Sequence, residues 1–240
     1  AFADGLFYVA DPQKSDVPVS QLLSKNYSTS RAKEIFRDHK NTNISFGNPI
    51  GGSDTVYLSV IDSEGNACSF INSLYSSFGT GLVVPEYGIA LQNRGSLFSL
   101  DIKHPNYLEP NKRPYHTIIP GMATKNGELH LSFGVMGGFQ QPQGHLQTLV
   151  NMIDFDLDPQ NALDALRFRI DVEGDGTVHL EEGVNSKLVN ELSKKGHNVN
   201  VVSGYDRVSF GGGQIIYRDC SSGLLMGGTE PRKDGIAVGW

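Results

Sequence analysis

The stretch from Thr55 to Tyr75 constrains this chain more than any other. In Thr55-Val56-Tyr57-Leu58-Ser59-Val60-Ile61 the side chains alternate. Val56, Leu58 and Val60 share one face, and Thr55, Tyr57, Ser59 and Ile61 share the other. Asp62-Ser63-Glu64-Gly65-Asn66 is turn chemistry, and Ala67 to Tyr75 alternates again. Two period-two runs around a short turn make an antiparallel hairpin. With Ile61 facing Ala67, the constant index sum of antiparallel partners puts Thr55 opposite Ser73 on one sheet face.

The hairpin follows the clearest break in the chain. Polar Lys40 to Ser45 leads into Gly47-Asn48-Pro49-Ile50-Gly51-Gly52-Ser53, an irregular and exposed linker. Before it, Pro18 to Leu23 and Asn26 to His39 carry helical features, with Ser28 to Ser30 available as caps. The first residues, Ala1-Phe2-Ala3-Asp4, have neither an initiator Met nor a targeting pattern, and read as the middle of a longer or processed chain. After the hairpin, strands are expected at Gly88 to Gln92, Leu129 to Phe133, Val178 to Glu181, Val199 to Ser203, Gln214 to Arg218 and Leu224 to Gly227. Helices are expected at Gly144 to Asp154, at Pro159 to Phe168 behind an Asp158 cap, and at Asn185 to Lys195 before Gly196. Strands come in hairpins and helices in separate blocks. That is an α+β pattern of mostly antiparallel sheets covered by helices, not a run of βαβ units. Twenty-eight glycines and eleven prolines supply the turns.

Composition excludes several functions. A net charge of −6 argues against a nucleic-acid or anionic-membrane surface. No apolar run approaches the ~20 residues of a membrane span. Cys68 and Cys220 make no disulfide framework and have no zinc-site spacing with histidine, so no metal or other cofactor is expected. Two unpaired cysteines lean toward the cytoplasm. A serine-hydrolase elbow, a Walker loop and a dinucleotide fingerprint are absent. Gly211-Gly212-Gly213 precedes a strand and suits close backbone packing. His116 and His145, taken singly, read as surface or structural histidines.

One arrangement remains: a Thr heading a strand directly after a Gly-Gly-Ser-Asp linker. Such a Thr is ordinarily a β-branched strand residue. It becomes a nucleophile when a base sits beside it, and its own α-amino group serves if the chain is cut between Asp54 and Thr55.

The surroundings of Thr55 carry a resemblance. Asp54 to Ala67 resembles the start of the small subunit in the gamma-glutamyltranspeptidase family. So do Ser77-Phe78-Gly79-Thr80-Gly81-Leu82-Val83-Val84-Pro85, Asn111-Lys112-Arg113-Pro114, Gly134-Val135-Met136-Gly137-Gly138 and Glu230-Pro231-Arg232-Lys233-Asp234-Gly235, in order and over essentially the whole chain. The resemblance implies an αββα N-terminal-nucleophile hydrolase, made as a precursor that cleaves itself. Residues 1–54 correspond to the end of the large subunit with its processing linker, and 55–240 to the small subunit. The rest of the large subunit is then an expected partner. Carried over by position, Thr55 matches the nucleophile, Ser73 a hydroxyl that assists it, and Gly137 and Gly138 the oxyanion-hole pair.

The departures concern the substrate. Val56 stands where the family has a second Thr, and Tyr75 where it has an Asn beside the glutamyl group. Arg94 and Leu97 replace a Gln and an Asp that hold the substrate ammonium, and His116-Thr117 replaces a Ser-Ser pair at its carboxylate. Arg94 favours a carboxylate instead. The resemblance therefore implies a small-molecule γ-glutamyl amide as substrate, glutathione-like. A glutaryl or polyglutamyl amide, as in a cephalosporin-acylase-like branch, is the alternative. A third reading is an inactive fragment or structural subunit.

Overall fold

The computed structural model describes residues 1–42, 54–172 and 174–240. The linker expected from Gly47 to Ser53, and Asn43 to Ser45 before it, lies outside the described residues. The N-terminal region forms α1 (Phe2–Tyr8), α2 (Val19–Leu22) and α3 (Lys25–Ala32). The helix expected over Asn26 to His39 is thus shorter. Its cap is Ser24, which accepts the Tyr27 N–H, whereas Ser28 lies inside the helix and bonds back to the Ser24 and Lys25 carbonyls. None of its residues is buried, so past Ala32 no packing holds a helix. Arg113 anchors this region by donating through N–H and Nη2 to buried Asp11 at 3.0 and 2.7 Å. Those bonds hold the Asp11 carboxyl well below its ordinary range.

β1 (Asp54–Ile61) and β2 (Ala67–Tyr75) pair antiparallel, with Ile61 opposite Ala67 and Thr55 opposite Ser73. Asp62 sets the turn by accepting the N–H groups of Glu64 and Asn66 at 2.9 and 2.8 Å, and Gly65 takes the positive φ. The register then breaks. Asp54 pairs with Tyr75, so Leu74 is an extra residue on β2 and Tyr75 sits at φ 77°. This is a β-bulge, and bulges re-aim side chains.

The ribbon lies on a four-stranded antiparallel sheet built from β5 (Gly121–Lys125), β6 (Glu128–Met136), β10 (Gly212–Arg218) and β11 (Leu225–Thr229) in the order β11-β10-β6-β5. β6 alternates faces. Ser132 and Gly134 meet the ribbon, where Ser59 Oγ donates to Ser132 Oγ at 2.5 Å and the Tyr57 ring covers Gly134. A Cβ on Gly134 would stand 2.6 Å from that ring. Leu131 and Phe133 face the other way and form the core with Leu163 and Ile215. That side is covered by α4 (Gln140–Ile153) and α5 (Pro159–Asp164). Gly144 of α4 sits on Val135 where a Cβ would be 2.5 Å away.

α4 starts four residues before Gly144, because Pro142 falls in the first turn, where a proline is tolerated. α5 stops at Asp164 rather than Phe168. Ala165 is extended, and the Arg167 N–H goes to the Glu181 carboxylate instead of a helical carbonyl. Phe168 opens β7 (Phe168–Ile170), which pairs antiparallel with β8 (Val178–Glu181). After α6 (Ser186–Lys194), β9 (Val199–Val202) joins β8 in parallel. This βαβ unit is an exception to the expected antiparallel pattern. The expected strand at Gly88 to Gln92 shrinks to β4 (Ile89–Ala90) against β3 (Val83–Val84). The ribbon's outer face carries exposed Val56, Leu58, Val60 and Phe70, Val56 at 67%. Among the described residues no helix is long and apolar enough to cross a membrane.

Candidate active site

Thr55 is the first inward-facing residue of β1 and is 5% exposed. Its Oγ1 donates to Ser73 Oγ at 3.0 Å, the cross-strand contact that the hairpin register requires. Ser73 Oγ also accepts the Tyr75 N–H at 2.9 Å, a bond within the bulge. β1 begins at Asp54, so the Asp54–Thr55 bond lies at the head of the strand.

β6 delivers the second component. Ser59 meets Ser132 and Tyr57 meets Gly134, so each step of two toward the start of β1 is a step of two toward the end of β6. The head of β1 thus runs toward the end of β6, which leads into Gly137. Gly137 and Gly138 both have positive φ, 135° and 58°. Their carbonyls turn into the helix and accept the Gln140 and Gln141 N–H groups at 3.0 Å each. The pair therefore sits at the N-terminal end of α4, where unsatisfied N–H groups and the helix dipole favour negative charge. Space there is closed from behind. A Cβ on Gly137 would lie 3.1 Å from Gly211 Cα, and one on Gly211 would lie 2.4 Å from the Met136 carbonyl. Gly211 to Gly213 is the close backbone packing that the sequence suggested.

Behind this turn lies a buried ion cluster that sequence reasoning missed. Glu230 accepts from Arg167 Nη1 at 2.9 Å, Arg232 Nη1 at 2.8 Å and the Gly213 N–H at 2.7 Å. Arg167 Nη1 also donates to the Phe210 carbonyl at 3.2 Å. Glu181 receives Arg232 and Arg207. Burial alone would raise the Glu181 pKa, but bonds from Arg232, the Arg167 N–H and Arg207 bring it below its ordinary value. The five charged partners come from distant positions, so only the Glu230-Pro231-Arg232 motif hinted at them.

The third component leads away from the bulge. The Leu74 carbonyl accepts the Asn93 N–H at 3.1 Å, and Asn93 Oδ1 accepts the Ser76 N–H at 3.0 Å. That docks the 3-10 turn Arg94–Leu97 against the ribbon. Arg94 is 9% exposed, and its guanidinium stands 5.8 Å from the centre of the buried Tyr75 ring. Arg94 Nε donates to Thr117 Oγ1 at 2.9 Å. Gln141, in the first turn of α4, holds Thr117 in place. Its Nε2 donates to the Thr117 carbonyl at 2.7 Å, and its Oε1 accepts the Ile119 N–H at 3.3 Å. Gln141 thus links the Arg94 side to the Gly137–Gly138 turn.

Contacts therefore join Thr55, Ser73, Tyr75, Arg94 and Thr117, with the glycine pair at the end of the neighbouring strand. His116 is not among them. It is exposed, its Nδ1 accepts the Ile118 N–H at 3.3 Å, and burial followed by the charges of Arg94 and Arg113 lowers its pKa. Val56 points outward, and the Leu97 carbonyl accepts from Asn106. His145 packs against Phe133 within α4, where burial pulls its pKa down to about 4. It is a core histidine.

A family model described as gamma-glutamyltranspeptidase matches residues 1–240. The chain belongs to that family. It is 40% identical over 242 residues to the glutathione hydrolase-like YwrD proenzyme of Bacillus subtilis, covering all of this chain and 45% of that protein. It is 34% identical to the oxamate amidohydrolase proenzyme of Klebsiella pneumoniae, with the same two coverages. The chain thus spans less than half the length of these relatives. Among solved structures, cephalosporin acylase from Bacillus halodurans matches all of it at 49% identity and a TM-score of 0.88, over 42% of that chain. Gamma-glutamyltranspeptidase from Pseudomonas nitroreducens matches at 25% identity and a TM-score of 0.67. These likenesses identify the α+β fold as that of the N-terminal-nucleophile hydrolases.

Proposed function

We propose that this chain carries the nucleophile, its assisting hydroxyl and the oxyanion donors of a self-processing amidohydrolase. The observation that carries the reading is the buried Thr55 hydroxyl, 3.0 Å from Ser73 Oγ, at the head of the strand after the linker. In processing, Thr55 Oγ1 adds to the Asp54 carbonyl carbon. The C–N bond breaks as the ester C–O bond forms, and the proton passes to the nitrogen. Water hydrolyses the ester and leaves Thr55 with a free amine.

In turnover that amine takes the Oγ1 proton as the oxygen adds to the substrate's amide carbon. The Gly137 and Gly138 N–H groups stabilise the oxyanion, an effect worth about 3–4 kcal/mol per donor in other acyl-transfer enzymes. Collapse expels the leaving amine with the proton, and water or a second amine then accepts the acyl group from Thr55.

Coverage of the Pseudomonas nitroreducens enzyme supports the position of the cut. The match takes in 98% of that chain but 77% of this one, the share that residues 55–240 make of it. The exposed apolar face of the ribbon supports a partner: the remainder of the full-length protein, laid over Val56, Leu58, Val60 and Phe70.

The substrate is a small acyl amide. Relatives are named for hydrolysis of glutathione and of oxamate. The likeness to cephalosporin acylase favours an acylase as the second reading. Intact-mass measurement on fully active full-length protein tests the central step. Two pieces divided before Thr55 are expected, and an active uncut chain would exclude an α-amino base.

A further inference from the structure

The start of α4 is fixed by glutamines on more than one of its faces. Gln143 accepts the Ile170 N–H at 2.7 Å and donates to the Ile170 carbonyl at 3.1 Å. Gln147 treats Phe168 in the same way, at 2.9 and 3.0 Å, and Gln140 donates to the Phe168 carbonyl at 3.3 Å. These three bind β7. Gln141 lies about 100° round the helix from Gln140. It holds the 117–119 segment instead, with both amide atoms bonded to backbone and only 1% of its surface exposed.

What this turn carries is the glycine pair. The Gly137 carbonyl and the Gly138 N–H share one peptide plane, and the Gln140 N–H holds that carbonyl at 3.0 Å. The Gln141 N–H holds the next carbonyl, that of Gly138, at 3.0 Å. Where Gly138 N–H points therefore follows from where residues 140 and 141 sit. From the same residue the Gln141 side chain reaches Thr117, whose carbonyl it holds and whose Oγ1 accepts Arg94 Nε. Two bonds to the segment, rather than one, remove the freedom to swing about it.

We infer that Gln141 is a positioning residue that holds the glycine turn and the 117–119 segment as one body, so that its loss changes kcat and KM together. A small displacement is enough, since misplacing a reacting group by about 1 Å can cost about a hundredfold in rate. What the two parts do rests on the amidohydrolase reading; that they are joined does not.

The test compares Gln141→Met with Gln147→Met in the full-length protein. Each puts an unbranched side chain of similar size in place of a glutamine that pairs with backbone, but Gln147 lies about 9 Å farther along α4. In Gln141→Met, kcat should fall about ten- to a hundredfold and KM should rise, while Gln147→Met should stay near the parent in both. A change in kcat or KM alone, or equal losses in the two variants, overturns the assignment. Hydrogen exchange of the parent under rising urea needs no variant. Peptides covering 117–119 and 137–141 should lose protection together, and separate openings overturn the link. Retained turnover in Thr55→Ala would sink the nucleophile reading alone, because joint exchange in the parent does not depend on it.

Discussion

The two ends of the site are made differently. Thr55 and Ser73 stand on paired strands, where a register of seven continuous pairs and a turn fixed by Asp62 leave one placement. Arg94 and Thr117 stand on a 3-10 turn and a segment without strand or helix, held by the backbone and side-chain bonds of Asn93 and the two amide bonds of Gln141. Regular backbone pairing positions the reacting atom, and side-chain clasps position what selects the substrate. The first is hard to alter by one substitution, while the second can be retuned by one. Substitutions at the nucleophile end should therefore act on kcat and processing, and those at the Arg94 end on KM.

The largest effect is expected from Thr55→Ala. Processing and turnover should both vanish while far-UV circular dichroism is unchanged, and Thr55→Ser should keep part of each. Turnover in the alanine variant would move the nucleophile off the ribbon.

Next comes the ion cluster that supports the glycine turn. Glu230→Gln leaves buried Arg167 and Arg232 short of a carboxylate and should cost about 3–5 kcal/mol. Urea unfolding measures it. Because Gly213 and the Phe210 carbonyl hang on this cluster, kcat should drop more than KM rises. A KM effect alone would break the contrast between the two ends.

The smallest is Thr117→Val, which removes the acceptor of Arg94 Nε but keeps the shape. KM for a carboxylate-bearing donor should rise roughly tenfold with kcat nearly constant. Steady-state kinetics on processed protein checks it. A matching loss of processing would mean that Thr117 serves the nucleophile end as well.

The same contrast explains what could be read from the sequence. Period two and an Asp-Gly turn were enough to place Thr55 opposite Ser73 without any fold in hand. The bulge one residue later was not legible, because nothing in Ser73-Leu74-Tyr75 marks Leu74 as the unpaired residue. Gln140, Gln141 and Gln143 lie before the helix start expected at Gly144, yet all three belong to the helix and are buried. Gln143 bonds both backbone groups of Ile170 in β7, and Gln141 clasps the 117–119 segment in the same way. Glutamine side chains that act as surrogate strand partners leave no periodic signal. Arg167, Glu181, Glu230 and Arg232 meet only through the tertiary fold, so their pairing lies beyond local pattern.

The contact between Tyr57 and Gly134 also limits how such a chain can change over generations. The ring occupies the volume that any side chain at position 134 would need. A substitution there is tolerated only after position 57 has lost its ring, and a smaller residue at 57 opens a void that a larger residue at 134 can fill. The two positions, distant in sequence and on different strands, should therefore drift as a pair, with an order of events imposed by volume.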